Sequence, residues 1–150
     1  MSGSFSYIGI HFIFSTKNRA NIINNEIKDR LYSYIAGTIK SIKGRPIAIN
    51  GMPDHIHIFC VMSREITTAD FMRIVKSKSS KWLNETFSFK PKFQWQDGYG
   101  SFSVSKSSET KIIEYIKNQE KHHKQKSFQE EFIEYLELMK IDYNKEYIWR

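Results

Sequence analysis

The stretch Gly51-Met52-Pro53-Asp54-His55-Ile56-His57-Ile58-Phe59-Cys60-Val61-Met62 decides how this chain is read. Its first four residues have turn chemistry: glycine for close approach, proline for a fixed φ, and aspartate for a local side-chain bond. The next eight alternate in the manner of a strand. In a strand, residues two apart face one side, so His55 and His57 project together, roughly 6–7 Å apart at their α-carbons. Ile56, Ile58 and Cys60 face the other side and anchor the strand in a core. Two imidazoles on one face of an apolar strand are costly to desolvate, so they need partners. A shared metal ion supplies them; so does a pair of satisfied core histidines.

Outward from this strand the pattern stays regular. Ile47–Asn50 reads as a short strand before the turn. Along Phe5–Thr16, Ile8, Ile10, Phe12 and Phe14 point one way, and Tyr7, His11 and Ile13 the other. Between them, Asn25 is a plausible cap for a helix from Glu26 to about Lys43. Its stripe is Ile27, Leu31, Tyr34, Ile35, Ile39 and Ile42, and Gly44 is its stop. Thr67 or Thr68 caps a second helix, Ala69 to about Phe87, with Phe71, Ile74, Val75, Lys78, Trp82 and Leu83 on one side. Phe93–Gln96 and Ser101–Ser105 are extended. Ser107 or Ser108 caps a helix over Glu109–Lys121, and Gln129–Met139 forms a last helix. The order β-α-β-β-α-β predicts an α+β, ferredoxin-like (split βαβ) antiparallel sheet with helices on one face. A C-terminal helix, within about residues 108–123, carries Tyr115, and a helical tail follows at about 129–139. All 150 residues are read as one domain.

Composition limits the partners. With 40% hydrophobic and 26% charged residues, general disorder is excluded. The single cysteine, Cys60, excludes an internal disulfide framework and a thiolate zinc knuckle, which fits a reducing cytoplasm. By strand parity Cys60 faces away from the histidines and is expected to be an inert buried thiol. The apolar start is interrupted by His11 and has no basic leader, and no apolar run approaches a membrane span. A net charge of +7 favours a polyanion, nucleic acid first and an anionic membrane surface second.

A second candidate constellation is Tyr115-Ile116-Lys117-Asn118-Gln119. Residues i and i+4 share a helix face about 6 Å apart along the axis, so Tyr115 and Gln119 are neighbours, with Asn118 beside them. Ile112, Ile113 and Ile116 face the core. The phenol can serve as a nucleophile and the Gln119 amide oxygen as a hard metal ligand; a packing tyrosine and a solvated glutamine fit the helix as well. Combined with the histidines, the set makes a mixed N/O site with open positions. Such a site suits Mg²⁺ or Mn²⁺ bridging a phosphodiester oxygen. Attack by the phenol on phosphorus leaves a covalent phosphotyrosine, which conserves the phosphodiester energy for later rejoining.

His55-Ile56-His57 resembles the HUH motif, two histidines flanking a hydrophobic residue, of the HUH endonucleases. Within that superfamily the chain resembles the small single-tyrosine transposases of the "insertion sequence two hundred" type. Four blocks carry the likeness in the family's order: Phe14–Arg19, Gly51–His57, Trp95–Ser105 and Tyr115–His123. The resemblance implies a transposase that cuts and rejoins single-stranded DNA hairpins at the ends of a mobile element. It implies His55 and His57 as metal ligands, Tyr115 as nucleophile and Gln119 as third ligand, with Asn118 the alternative. It also implies a homodimer in which one subunit's tyrosine helix can serve the other's metal site. A related HUH nuclease (a replication initiator or a domesticated repeat-associated transposase) shares these residues. A ferredoxin-like nucleic-acid-binding module without catalysis is the alternative of another class.

Several further residues bear on DNA. Arg73, Lys76, Lys78 and Lys81 with neighbouring serines form a basic patch on the second helix, and Lys17 and Arg19 leave the first strand; either set can hold phosphates or be a solvated face. His122 and His123 suit a basic surface turn, a DNA contact or support for the site. Trp95 and Tyr99 can stack on a base or pack. His11 is expected to support the histidine pair from behind rather than to ligate.

Overall fold

The first strand is buried on both faces and pairs along both edges, so it lies inside the sheet. In the computed structural model, which describes residues 3–123 and 126–149, this strand β1 is Gly9–Ser15. It is followed by α1 (Asn25–Ser41), β2 (Arg45–Met52), β3 (His55–Val61), α2 (Thr68–Thr86) and β4 (Gly100–Ser103). Three helices complete the described chain: α3 (Glu109–Lys117), α4 (Gln119–His122) and α5 (Phe128–Leu138). The strands form one antiparallel sheet in the order β2-β3-β1-β4. This is the ferredoxin-like arrangement that the element order predicts.

Parity then divides the molecule into two layers. Phe12, Phe14, Ile56, Ile58 and Cys60 point to one face, where α1 and α2 bury them with Leu31, Ile35, Phe71 and Val75. His11, His55, His57, Phe59 and Phe102 occupy the opposite side, under α3, α4 and α5. Burial raises the Cys60 thiol to about 12, as expected of an inert core cysteine.

Several boundaries differ from the pattern-based reading. The cap of α1 is Asn24, not Asn25; its side chain accepts from the amides of Glu26 and Ile27 at 3.0 and 3.1 Å. On α2 the buried positions include Met72 and Ser79 rather than Ile74 and Lys78, because the Ser79 hydroxyl accepts the Trp95 indole N–H at 2.9 Å. Residues 93–96 add only a Thr16–Trp95 bridge to the sheet. Trp95 packs edge-on against Phe14 and Tyr99 against Phe12, so both aromatics serve the core. The helix expected through Lys121 breaks at Asn118 (φ −96°, ψ 22°), where Asn50 Nδ2 donates to the carbonyls of Ile116 and Lys117 at 2.9 and 3.3 Å. Among the described residues no helix is long and apolar enough to cross a membrane.

The β2–β3 connection holds the histidine strand in register. Pro53 and Asp54 are its two linking residues, and their carbonyls are clamped from outside. Asp54 accepts from the Thr16 amide at 2.9 Å and Pro53 from the amides of Ile22 and Ile23 at 3.1 and 2.9 Å. Gly51 lies so close to β3 that a Cβ there would stand 2.2 Å from the His55 carbonyl oxygen. Gly51→Ala should therefore destabilise the fold by roughly 2–3 kcal/mol, read from the urea midpoint; an unchanged midpoint would show that the strands separate without cost.

Candidate active site

The first residue of β3 is His55. Its Nδ1 lies 2.6 Å from Asp54 Oδ1, so this nitrogen donates to the carboxylate and Nε2 is directed into the site. Two positions on, His57 shares the face, its ring 5.3 Å from that of His55. His57 Nε2 lies 3.0 Å from Glu131 Oε1, and a carboxylate only accepts, so the proton sits on Nε2. His57 Nδ1 then accepts from His11 Nε2 at 2.8 Å, and the buried His11 Nδ1 has no partner. Burial lowers the His57 pKa to about 4, against the pull of the Glu131 hydrogen bond and charge. Burial and the charge of His57 lower His11 well below the ordinary imidazole value, against the pull of Glu131. His11 thus supports His57 from behind.

The second half of the site comes from the C-terminal helices. Tyr115 on α3 directs its hydroxyl to Glu131 Oε2, with its ring 5.6 Å from that of His57. Burial, then the charge of Glu131 and the hydrogen bond to it, push the phenol far above its ordinary pKa. Gln119, beyond the break at Asn118, is buried with Oε1 3.3 Å from His55 Nε2. Asn118 is exposed. The break separates the two amides: Gln119 turns inward and Asn118 outward.

Glu131 on α5 is the hub, and only 1% of its surface is exposed. Its Oε1 lies 3.0, 3.2 and 3.6 Å from Nε2 of His57, His123 and His55. Burial raises its pKa, but hydrogen bonds from His123, His57 and Tyr115 and the charge of His57 outweigh that, so the carboxyl stays ionised. His123 donates from Nδ1 to the Lys126 carbonyl at 2.6 Å. Although burial disfavours its charged form, Glu131 and that carbonyl raise its pKa. The His122 side chain lies outside the described residues.

The donor set fits a cation. Gln119 Oε1 and Glu131 Oε1 lie 3.3 and 3.6 Å from His55 Nε2, nitrogen and oxygen donors of the kind that hold a divalent ion. One nitrogen or carboxylate oxygen from each of His55, His57, His123 and Glu131 lies within 4.8 Å of every other.

The basic residues separate from this cluster. Lys76 donates to the carbonyls of Gln96, Asp97 and Gly98 at 2.5, 3.0 and 3.0 Å, so its amine pins a loop instead of facing solvent. Burial lowers its pKa to about 8, against the charge of Asp97. Arg73, Lys78 and Lys81 are exposed on α2, across the sheet from the histidines; Arg73 lies 3.7 Å from Asp70 and Lys81 3.9 Å from Glu85. Lys17 is exposed and donates to Gln94 Oε1 at 3.0 Å. Arg19 stacks over Trp149 and, with Asp54 and His123, lines a cleft beside the site.

A ferredoxin-like sheet presenting a histidine pair to a tyrosine-bearing helix defines the single-tyrosine class of HUH proteins. Residues 4–119 match the family described as "Transposase IS200 like", and the chain belongs to that family. It is 24% identical over 114 residues to the ISDra2 transposase TnpA of Deinococcus radiodurans, covering 73% of this chain and 81% of that protein. Among solved structures, a candidate transposase from Deinococcus radiodurans R1 superposes with a TM-score of 0.65 at 22% identity, over 79% of this chain and 95% of that one. A REP-associated tyrosine transposase bound to a REP hairpin superposes with a TM-score of 0.60 at 15% identity, over 82% and 74%.

Asn50 and Glu131 were not singled out by sequence, whereas His123 stood as a surface turn, a DNA contact or support for the site. For Glu131 the available signal was position: an acidic residue within the stripe Phe128, Phe132, Tyr135 and Leu136 at helical spacing. In metal-free protein, Glu131→Gln should lower the pKa of His123, since it removes the main upward influence and leaves the downward effect of burial. An NMR titration of the ring protons reads this directly, and an unshifted His123 would remove Glu131 as its partner.

Proposed function

We propose that this transposase nicks and rejoins single-stranded DNA by direct attack of Tyr115 on a phosphodiester. The observation that carries the reading is the convergence, within one chain, of the Tyr115 hydroxyl with His55, His57 and Gln119. In the step, the phenolic oxygen bonds to phosphorus and the bond from phosphorus to the 3′ oxygen breaks. The products are a 5′-phosphotyrosine and a free 3′-hydroxyl, and the reverse attack reseals the strand. The Tyr115 hydrogen bond to Glu131 gives the phenolic proton a defined destination. His55 and His57, with Gln119 Oε1 in reach, would hold a divalent ion, which would polarise the phosphoryl group and offset the charge that develops there. Mg²⁺ and Mn²⁺ are the ions that the resemblance to the family favours.

The substrate is a DNA hairpin with an unpaired cleavage site. The REP-associated relative, bound to a REP hairpin, supports this. So do the family assignment and the net charge of +7. Lys17, Arg19, Arg73, Lys78 and Lys81 are the cations available to phosphates, with Lys76 committed to its loop. A homodimer fits the family; because Tyr115 adjoins its own chain's His57, assembly of each site in cis is the form that the geometry favours.

Incubation with end-labelled hairpin DNA and Mn²⁺ or Mg²⁺ should give an adduct that survives a denaturing gel. Tyr115→Phe should bind the hairpin and form none, whereas His57→Ala should lose about 10³-fold or more of the metal-supported cleavage rate. Reversible binding alone by the parent protein would identify a DNA-binding module instead. Mixed dimers of the two variants should stay inactive; recovered cleavage would place the tyrosine in the partner's site.

A further inference from the structure

The family match ends at residue 119, yet two of the residues that close around the histidine pair come after it. We propose that His123 and Glu131 join His55 and His57 as ligands, in a site of three imidazoles and one carboxylate that takes a first-row transition ion in preference to Mg²⁺ and that can expand to admit a phosphoryl oxygen. This rests on the reading of His55 and His57 as metal ligands given above.

Three observations carry it. The first is spacing. Bonds of about 2.0–2.1 Å in a tetrahedron place ligand atoms about 3.3 Å apart. The separations of Glu131 Oε1 from the three Nε2 atoms, 3.0, 3.2 and 3.6 Å, bracket that edge length. The second is the engagement of each imidazole's far nitrogen, the pattern that orients metal-bound histidines. His55 Nδ1 meets Asp54, His57 Nδ1 meets His11 and His123 Nδ1 meets the Lys126 carbonyl. All three Nε2 atoms therefore converge on one carboxylate oxygen. An ion there displaces the His123 Nε2 proton to solvent; in the His57–His11 pair the bridging proton passes to His57 Nδ1 while His11 takes up at Nδ1 the proton lost from His57 Nε2, so both imidazoles stay neutral and His57 Nδ1 donates to His11. The third is the donor chemistry. Mg²⁺ prefers six oxygens and keeps its waters, whereas three imidazoles suit Mn²⁺, Co²⁺ and Zn²⁺. Glu131 binds through Oε1, and Oε2 continues to hold the Tyr115 hydroxyl, so loading the ion also fixes the phenol.

Cobalt absorption tests this without DNA or turnover. The full chain, freed of metal by chelation, is titrated with Co²⁺. The expected result is the intense visible bands of four-coordinate Co²⁺, retained under about a hundredfold excess of Mg²⁺. Glu131→Gln, which preserves side-chain volume, and His123→Ala, which removes a ring that is 6% exposed, should each weaken Co²⁺ binding about tenfold or more and bleach those bands. Thermal melts of the metal-free variants establish that each is folded. If both variants keep the parent's bands and affinity while His57→Ala loses them, the four-ligand site is overturned and the two-histidine reading stands. If His57→Ala also binds like the parent, both fall. Displacement of Co²⁺ by equimolar Mg²⁺ would overturn the ion preference.

Discussion

A buried carboxylate holds the functional half of this molecule together. Glu131 accepts from the phenol through one oxygen and faces three imidazoles through the other. An ionised group so removed from water persists only where several donors replace its hydration. Here the donors come from β3, from α3 and from the turn after α4, so satisfying one charge fixes three elements relative to one another. Removing one partner of such a buried group typically costs about 3–5 kcal/mol. The docking of α5 and the order of the site are therefore linked, and the aromatic contacts of Phe128 and Phe132 with each other and with Trp149 complete the seal.

The sheet makes this possible by sorting side chains. One face carries apolar side chains of β1 and β3 and packs on α1 and α2. That packing anchors β1 and β3 while their other face carries three histidines. Asn50 adds a specific brace: by taking up the last carbonyls of α3 it ends that helix where Gln119 must turn inward.

Much of this was legible in the residues, for identifiable reasons. Period-two alternation fixes facing, so Ile56 and Ile58 against His55 and His57 could be read directly, as could His11 behind them. The element order gave the sheet, and the blocks around His55 and Tyr115 gave the family. The loop contacts of Lys76 could not be read from the sequence, because its partners are backbone carbonyls. Asn118 and Gln119 could be separated only by the break between α3 and α4, which depends on a bond from a distant strand. Glu131 lies 74 positions from His57 among several other glutamates, and only its place in the apolar stripe of α5 distinguishes it.

The two layers set a mechanical condition on any polymer that uses both. The exposed cations of α2 and the phenol of α3 lie on opposite sides of one sheet. A strand held at the first and cut at the second has to bend round a sheet edge within the width of a small protein. Duplex DNA, with a persistence length of about 150 base pairs, resists such a turn, whereas unpaired nucleotides rotate freely about their backbone. For a polymer that engages both faces, the thickness of the protein would act as a stiffness filter, separate from any recognition of bases.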